Sequence, residues 1–258
     1  MFFGKRRNSM NATAGGSTAN NVTFGEATMP SAKVCLTKAT EGLDRGIVRL
    51  QKTSGIDLSK HKARVFVVMD RSGSMEPCFS DGTVQRILTR FLPLALKFDD
   101  DGQLEVYVFN TVCEKMPAMN LHNYETYVKK QIIDKGFGPK GSTKYSPFIN
   151  QIINDYNDNS PIPAFGIIIT DGNPESLDKA PSDSAIRESS NHRIFLNFFG
   201  TGTSCNFEYL RKLDDLDGRA VDNTAFVKVS DFNKLNDDEL YDKVLEQYPQ
   251  WLRAMHIY

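Results

Sequence analysis

The sequence predicts an α/β fold, with a mostly parallel sheet carrying helices on both faces. Two observations carry the prediction. From Ala63 onward, apolar runs of strand length alternate with helical patterns, and such alternation builds parallel sheets through helical crossovers. Three of the runs are nearly continuous Val, Ile and Phe, as strands buried on both faces require. A third observation sets the scale. The chain has 258 residues, enough for one large domain behind a tail.

In chain order, residues 1–32 read as a disordered tail, because the stretch from Asn11 to Asn21 is small and polar and has nothing to bury. The basic cluster Lys5-Arg6-Arg7 within it is short and reads as solvated. Residues 33–62 form a lead-in packing on the domain. Gly42, Gly46 and Gly55 are expected to break any long helix there. The domain proper spans 63–258. Its strands are expected at Arg64–Met69, Leu104–Asn110, Phe165–Thr170, Arg193–Phe199 and Thr224–Val229. Helical patterns cover Thr83–Phe98, Asn123–Lys135, Lys144–Asn157, Ser182–Ser190, Phe207–Asp214 and Asp237–Met255, with Pro93 a possible kink in the first. Phe195, Phe198 and Phe199 read as core, and Trp251 as packing against the sheet.

The bulk numbers exclude several classes. The formal net charge of −1 argues against general affinity for nucleic acid or anionic membranes. No stretch approaches the roughly 20 apolar residues of a membrane-spanning helix, and the N-terminus lacks the apolar core of a secretory signal. Cys35, Cys78, Cys113 and Cys205 lie far apart without a C-x-x-C. That pattern predicts free thiols in a reducing cytoplasm rather than a zinc site or disulfide framework.

The candidate site lies at strand ends. Asp70-Arg71-Ser72-Gly73-Ser74 follows the run Val65–Met69, so one carboxylate and two hydroxyls alternate on a tight loop. Small oxygen ligands of this kind suit a hard cation such as magnesium, manganese or calcium. Asp171 follows Ile167-Ile168-Ile169-Thr170 and precedes Gly172, and Thr143 stands in the loop Gly141-Ser142-Thr143 that opens a helix. In open parallel sheets, ligands bind beyond the carboxyl ends of the strands, where strand order reverses.

These three pieces, D-x-S-x-S, a threonine in a glycine-containing loop and T-D-G, resemble the metal-ion-dependent adhesion site (MIDAS) of von Willebrand factor A (VWA) domains, in that family's order. The resemblance implies a Rossmann-like three-layer α/β/α fold with a six-stranded sheet and one reversed edge strand. Five strands are clear in the sequence, and Glu114–Met119 is the candidate for the sixth. The resemblance also implies a ligand set. Ser72, Ser74 and Thr143 would contact the cation through their hydroxyls, while Asp70 and Asp171 would act mainly through water and hydrogen bonds. An ion so held keeps much of its charge and attracts an Asp or Glu of a partner protein. Gly73 and Gly141 would let the backbone approach, Glu76 reads as a loop charge, and Arg71 as pointing outward, either solvated or screening partners.

Further stretches resemble bacterial VWA proteins associated with tellurium and stress resistance. They are Val34-Cys35-Leu36-Thr37-Lys38, likened to a strand ending in Leu-x-Lys, then Asp81–Arg86, Lys97–Gly102 and Tyr248–Leu252. The resemblance covers Val34 to Met255 and implies a cytoplasmic stress-response or phage-associated assembly, with no catalytic activity. Asp99-Asp100-Asp101-Gly102 lacks the alternating ligands of an EF-hand and reads as a solvated turn.

Rival readings meet specific obstacles. In Gly136–Thr143, Lys140 precedes Gly141 instead of following it, and Pro139 interrupts the loop, against a P-loop. An aspartyl phosphotransferase would carry an acid where Ser72 stands. A serine hydrolase lacks G-x-S-x-G, and His61, His122, His192 and His256 show no spacing that identifies a base. A metal-free scaffold and an RNA-binding role complete the alternatives; no basic–aromatic patch supports the latter.

Overall fold

The computed structural model describes residues 31–203 and 205–257. The expected tail lies outside the described residues, except for Ser31 and Ala32, which begin the first helix.

That helix, α1, runs Ala32–Ser54. This corrects the expectation of a glycine-broken lead-in with a strand near Val34. The Ser31 hydroxyl accepts the Val34 N–H at 3.4 Å, and Gly55 ends the helix in the left-handed region at φ 74°, so the caps are those a long helix uses. Gly42 and Gly46 do not break it because they are contact points. A Cβ on Gly42 would lie 2.7 Å from the Asp237 Cβ, and one on Gly46 would lie 3.2 Å from the Tyr241 Cβ. The glycines let α1 approach the helix at Asp237–Leu245. Arg45 and Arg49 then reach Asp238 and Asp242 across the seam.

After β1 (Arg64–Asp70) come a 3₁₀ turn at Gly73–Met75, the short helix α2 (Glu76–Ser80) and α3 (Thr83–Phe98), which runs unbroken through Pro93. Strand β2 (Glu105–Phe109) turns into β3 (Cys113–Lys115), shorter than the expected Glu114–Met119. Met119 joins the sheet only by an isolated bridge to Leu104.

The pattern at Asn123–Lys135 forms no α-helix. A 3₁₀ turn at Tyr124–Thr126 leads into a π-helix at Val128–Ile133. The Gln85 side chain takes over the backbone groups at the junction, donating to the Tyr124 carbonyl at 2.6 Å and accepting from the Val128 N–H at 2.9 Å.

The remaining elements are α4 (Ser146–Tyr156), β4 (Ala164–Thr170), α5 (Lys179–Ser189), β5 (Ile194–Thr201), α6 (Glu208–Asp214) and β6 (Thr224–Val229). The expected closing helix is two, α7 (Asp237–Leu245) and α8 (Tyr248–Ala254). Pro249 lies in the first turn of α8, the part of a helix that tolerates a residue without an N–H.

The six strands stand in the order β3-β2-β1-β4-β5-β6. Only β3 is antiparallel to its neighbour. The sheet is the centre of three layers. Val65, Val67 and Met69 of β1 join the core beneath α1, α3, α7 and α8. Phe66 and Val68 join the core beneath α4, α5 and α6. Trp251 is 2% exposed and its ring lies 5.5 Å from that of Phe195 on β5, as the sequence led one to expect.

Candidate functional site

Strand order reverses between β1 and β4, since β1 continues to β2 on one side while β4 begins the run to β6 on the other. The loops leaving these strands carry the site.

Asp70 is the last residue of β1 and has no exposed surface. One of its oxygens accepts the Ser72 N–H at 2.7 Å, and the other accepts the Thr170 hydroxyl from β4 at 2.6 Å. Ser72, itself buried, places its hydroxyl 3.2 Å from that of Ser74, and the Ser74 hydroxyl donates to Asp171 at 2.9 Å. A continuous chain of polar groups thus links Asp70, Ser72, Ser74 and Asp171 across two strand ends.

Thr143 joins through its backbone. The Gly73 N–H donates to the Gly141 carbonyl at 2.9 Å, tying the threonine loop to the D-x-S-x-S loop. Gly141 has φ 75°, and a Cβ there would lie 3.3 Å from the Asn110 amide nitrogen; the position calls for glycine. Asn110, at the end of β2, holds the loop from the other side. It donates to the Lys140 carbonyl and accepts the Lys144 N–H, both at 2.8 Å. The Thr143 carbonyl accepts the Glu175 N–H at 2.9 Å, and the Tyr145 hydroxyl donates to the Gly172 carbonyl at 2.5 Å. The five residues singled out in the sequence therefore share one end of the sheet.

Electrostatics at the site are unbalanced. Burial pushes the Asp70 carboxyl up to about 6, against its hydrogen bonds from Thr170 and Ser72, and the Asp171 charge adds to the rise. Burial also raises Asp171, opposed by the Ser74 hydrogen bond. Among the described residues neither carboxylate has an ion-pair partner. Buried carboxylates are ordinarily paired with a cation or coordinate a metal. The donor set of three hydroxyls and two carboxylates fits a hard cation. Among the described residues no group of three or more His, Cys, Asp or Glu could form a conventional metal cage; the hydroxyls are what define this set.

Arg71 does not point outward. It is 3% exposed, and its guanidinium carbon lies 5.7 Å from the Phe137 ring. Its Nε and Nη1 have no hydrogen-bond partner among the described residues. Side chains alternate in direction along the chain leaving β1, so the arginine turns away from its two neighbours Asp70 and Ser72. Glu76 is exposed at the first position of α2. Gly136–Thr143 is preceded by the π-helix rather than a strand, and the Lys140 N–H is spent on the Arg71 carbonyl at 2.8 Å.

In the sequence Thr170 stands only as the first residue of T-D-G, without a role, while Asn110, Glu175 and Asp178 carry no signal. Thr170 could have been noticed as the residue that pairs the two central strand ends. The others act across 30 or more residues of chain and leave no local motif.

Residues 62–257 match the family described as vWA found in TerF C terminus. The chain is 35% identical over 199 residues to the uncharacterized protein YcbR of Bacillus subtilis (strain 168), covering 76% of this chain and 80% of that protein. Among solved structures it is similar to an aerotolerance-related membrane protein from Bacteroides fragilis NCTC 9343, with TM-score 0.53 and 13% identity over 73% of this chain and 99% of that one. It is also similar to proximal thread matrix protein 1 from the mussel byssus, in a structure with a zinc-occupied MIDAS motif, with TM-score 0.51 and 17% identity over 72% of this chain. The chain spans 46% of that mussel protein and 43% of a von Willebrand factor type A structure from Catenulispora acidiphila. At these identities the structural likenesses establish the fold. Among the described residues no helix is long and apolar enough to cross a membrane.

Proposed function

The chain belongs to the family of VWA domains found at the TerF C terminus, and on that footing we propose that it is a metal-ion-dependent protein-recognition module. Asp70, Ser72, Ser74, Thr143 and Asp171 hold a hard divalent cation, magnesium first, with manganese or calcium as substitutes. The cation in turn binds an Asp or Glu side chain of a partner protein. The observation that carries the reading is the carboxylate pair of buried Asp70 and half-buried Asp171, which share a hydroxyl-lined strand end where, among the described residues, no basic side chain balances them.

The chemistry follows from the ligand types. Neutral hydroxyls donate little charge to a bound ion, so the ion stays electropositive toward a partner, and a carboxylate from outside completes its shell. The residues of this chain bind and orient; no bond-making step is assigned to them. We place the module in a cytoplasmic stress-response assembly of the tellurium-resistance type, on the strength of the family to which it belongs.

The test is affinity capture on the immobilised full chain, with magnesium and with EDTA, beside Asp70→Ala and Thr143→Ala. A zinc arm is included because the mussel byssus protein holds zinc at its own motif. The expected result is a defined protein retained by wild type in magnesium and lost in EDTA and on both variants. Equal retention by wild type and both variants, with and without metal, contradicts the reading.

A further inference from the structure

Thr143 is the candidate ligand whose place depends most on its backbone, since among the described residues no hydrogen bond joins its hydroxyl to the other four. Its loop is fastened from below by a carboxylate absent from every motif. Asp178 lies at the end of the 3₁₀ turn Ser176–Asp178 and is 4% exposed. One of its oxygens accepts the N–H of Tyr145 at 2.5 Å and that of Ser146 at 3.2 Å. The other accepts the Ser146 hydroxyl. The Ser182 hydroxyl donates to the same carboxylate at 2.9 Å and to the Asp178 carbonyl at 2.7 Å.

We propose that Asp178 is a positioning residue for the metal site, holding Thr143 at the height where its hydroxyl enters the cation's shell. The inference rests on the metal reading above and adds to it a residue that touches neither the cation nor the partner.

Three features support the role. The groups presented to the Asp178 carboxylate are two adjacent backbone N–H groups and two hydroxyls, those of Ser146 and Ser182, all able to donate. An ionised carboxylate, with two acceptor oxygens and no donor, is the side chain that takes them all, and hydrogen bonds to a charged acceptor are stronger than neutral ones. Next, the fastening begins two residues after Thr143, too near for the loop to absorb a displacement. Finally, Asp178 belongs to the segment that leaves β4. Its N–H donates to the Glu175 carbonyl at 2.9 Å, and the Glu175 N–H donates to the Thr143 carbonyl at the same distance. The Ser142 hydroxyl also donates to the Glu175 carboxylate. The loop carrying Asp171 and the loop carrying Thr143 are thereby joined into one unit that faces Ser72 and Ser74 across the site. Mutating residues that orient metal ligands from behind typically costs about 10- to 100-fold in metal affinity.

The experiment is a calorimetric titration of the full-length chain with manganese, alongside thermal unfolding in EDTA. The proteins are wild type, Asp178→Asn, Ser146→Ala and Ser182→Ala. Asp178→Asn is expected to weaken manganese binding about 10- to 100-fold, and Ser146→Ala to weaken it in the same direction by less. Ser182→Ala, which removes a partner of Asp178 away from the threonine loop, is expected to leave affinity unchanged. If Asp178→Asn does not fold, the pair Ser146→Ala and Ser182→Ala decides alone. Wild-type affinity in both Asp178→Asn and Ser146→Ala, however far their unfolding midpoints in EDTA fall, overturns the positioning role and leaves the metal reading standing. No manganese binding by wild type overturns the metal reading itself, and this inference with it.

Discussion

Asp70 is where the site's chemistry is most exposed to a single substitution. Its carboxyl titrates near 6 in the folded protein because burial opposes its charge; an unfolded aspartate titrates near 3.9. Between those values the folded state binds more protons than the unfolded one. Stability of the metal-free protein therefore falls as pH rises from about 4 to about 6, then stays lower. At 1.36 kcal/mol per pH unit, the charge costs up to about 3 kcal/mol at neutral pH. Asp70→Asn keeps the shape and an acceptor for the Ser72 N–H while removing that charge. Urea unfolding in EDTA is expected to show the variant gaining on wild type across this pH range and holding the advantage above it. A constant difference at every pH would mean that the carboxylate is not desolvated as its surroundings indicate. The same substitution is expected to abolish stabilisation by magnesium, so a residue that serves binding also weakens the metal-free fold.

Among the elements, α1 shows most clearly how a sequence signal can carry two meanings. Glycine inside a helical pattern ordinarily lowers helix stability by about 1 kcal/mol relative to alanine, and on that ground the segment reads as broken. In the structure the cost is met by close packing on α7, with Ala39, Leu43 and Ile47 buried beneath. The sign of Gly42→Ala separates the two readings. Helix propensity alone predicts a gain in stability. The 2.7 Å approach to Asp237 predicts a loss of about 1–3 kcal/mol, the usual cost of overpacking. Urea unfolding at fixed pH decides between them. The strands were legible because continuous burial on two faces writes itself as apolar runs: β1, β4, β5 and β6 lie within a residue or two of their expected positions. The π-helix at Val128–Ile133 was not legible, because the Gln85 side chain that replaces helical hydrogen bonds comes from another helix. The break between α7 and α8 was marked by Pro249, read there only as part of a longer pattern.

At the scale of the whole molecule, the sheet order brings the ends of β1 and β4 side by side, and the site follows from that adjacency. The end of β1 supplies Asp70, the loops after β1 and β4 supply Ser72, Ser74 and Asp171, and the loop before α4 brings Thr143 over them. These residue types could be picked from the sequence because D-x-S-x-S and T-D-G are short and local. Their support could not, since Asn110 reaches Lys140 and Asp178 reaches Tyr145 only through the fold. A cation that binds the folded chain alone raises its stability by RT ln(1 + [L]/Kd), which turns the central claim into a single comparison. The measurement is the thermal unfolding midpoint of wild type and Asp70→Ala, each in EDTA and in millimolar magnesium. The account predicts a magnesium-dependent rise in wild type and none in the variant. An equal rise in both, or no rise in wild type with any divalent cation, contradicts it.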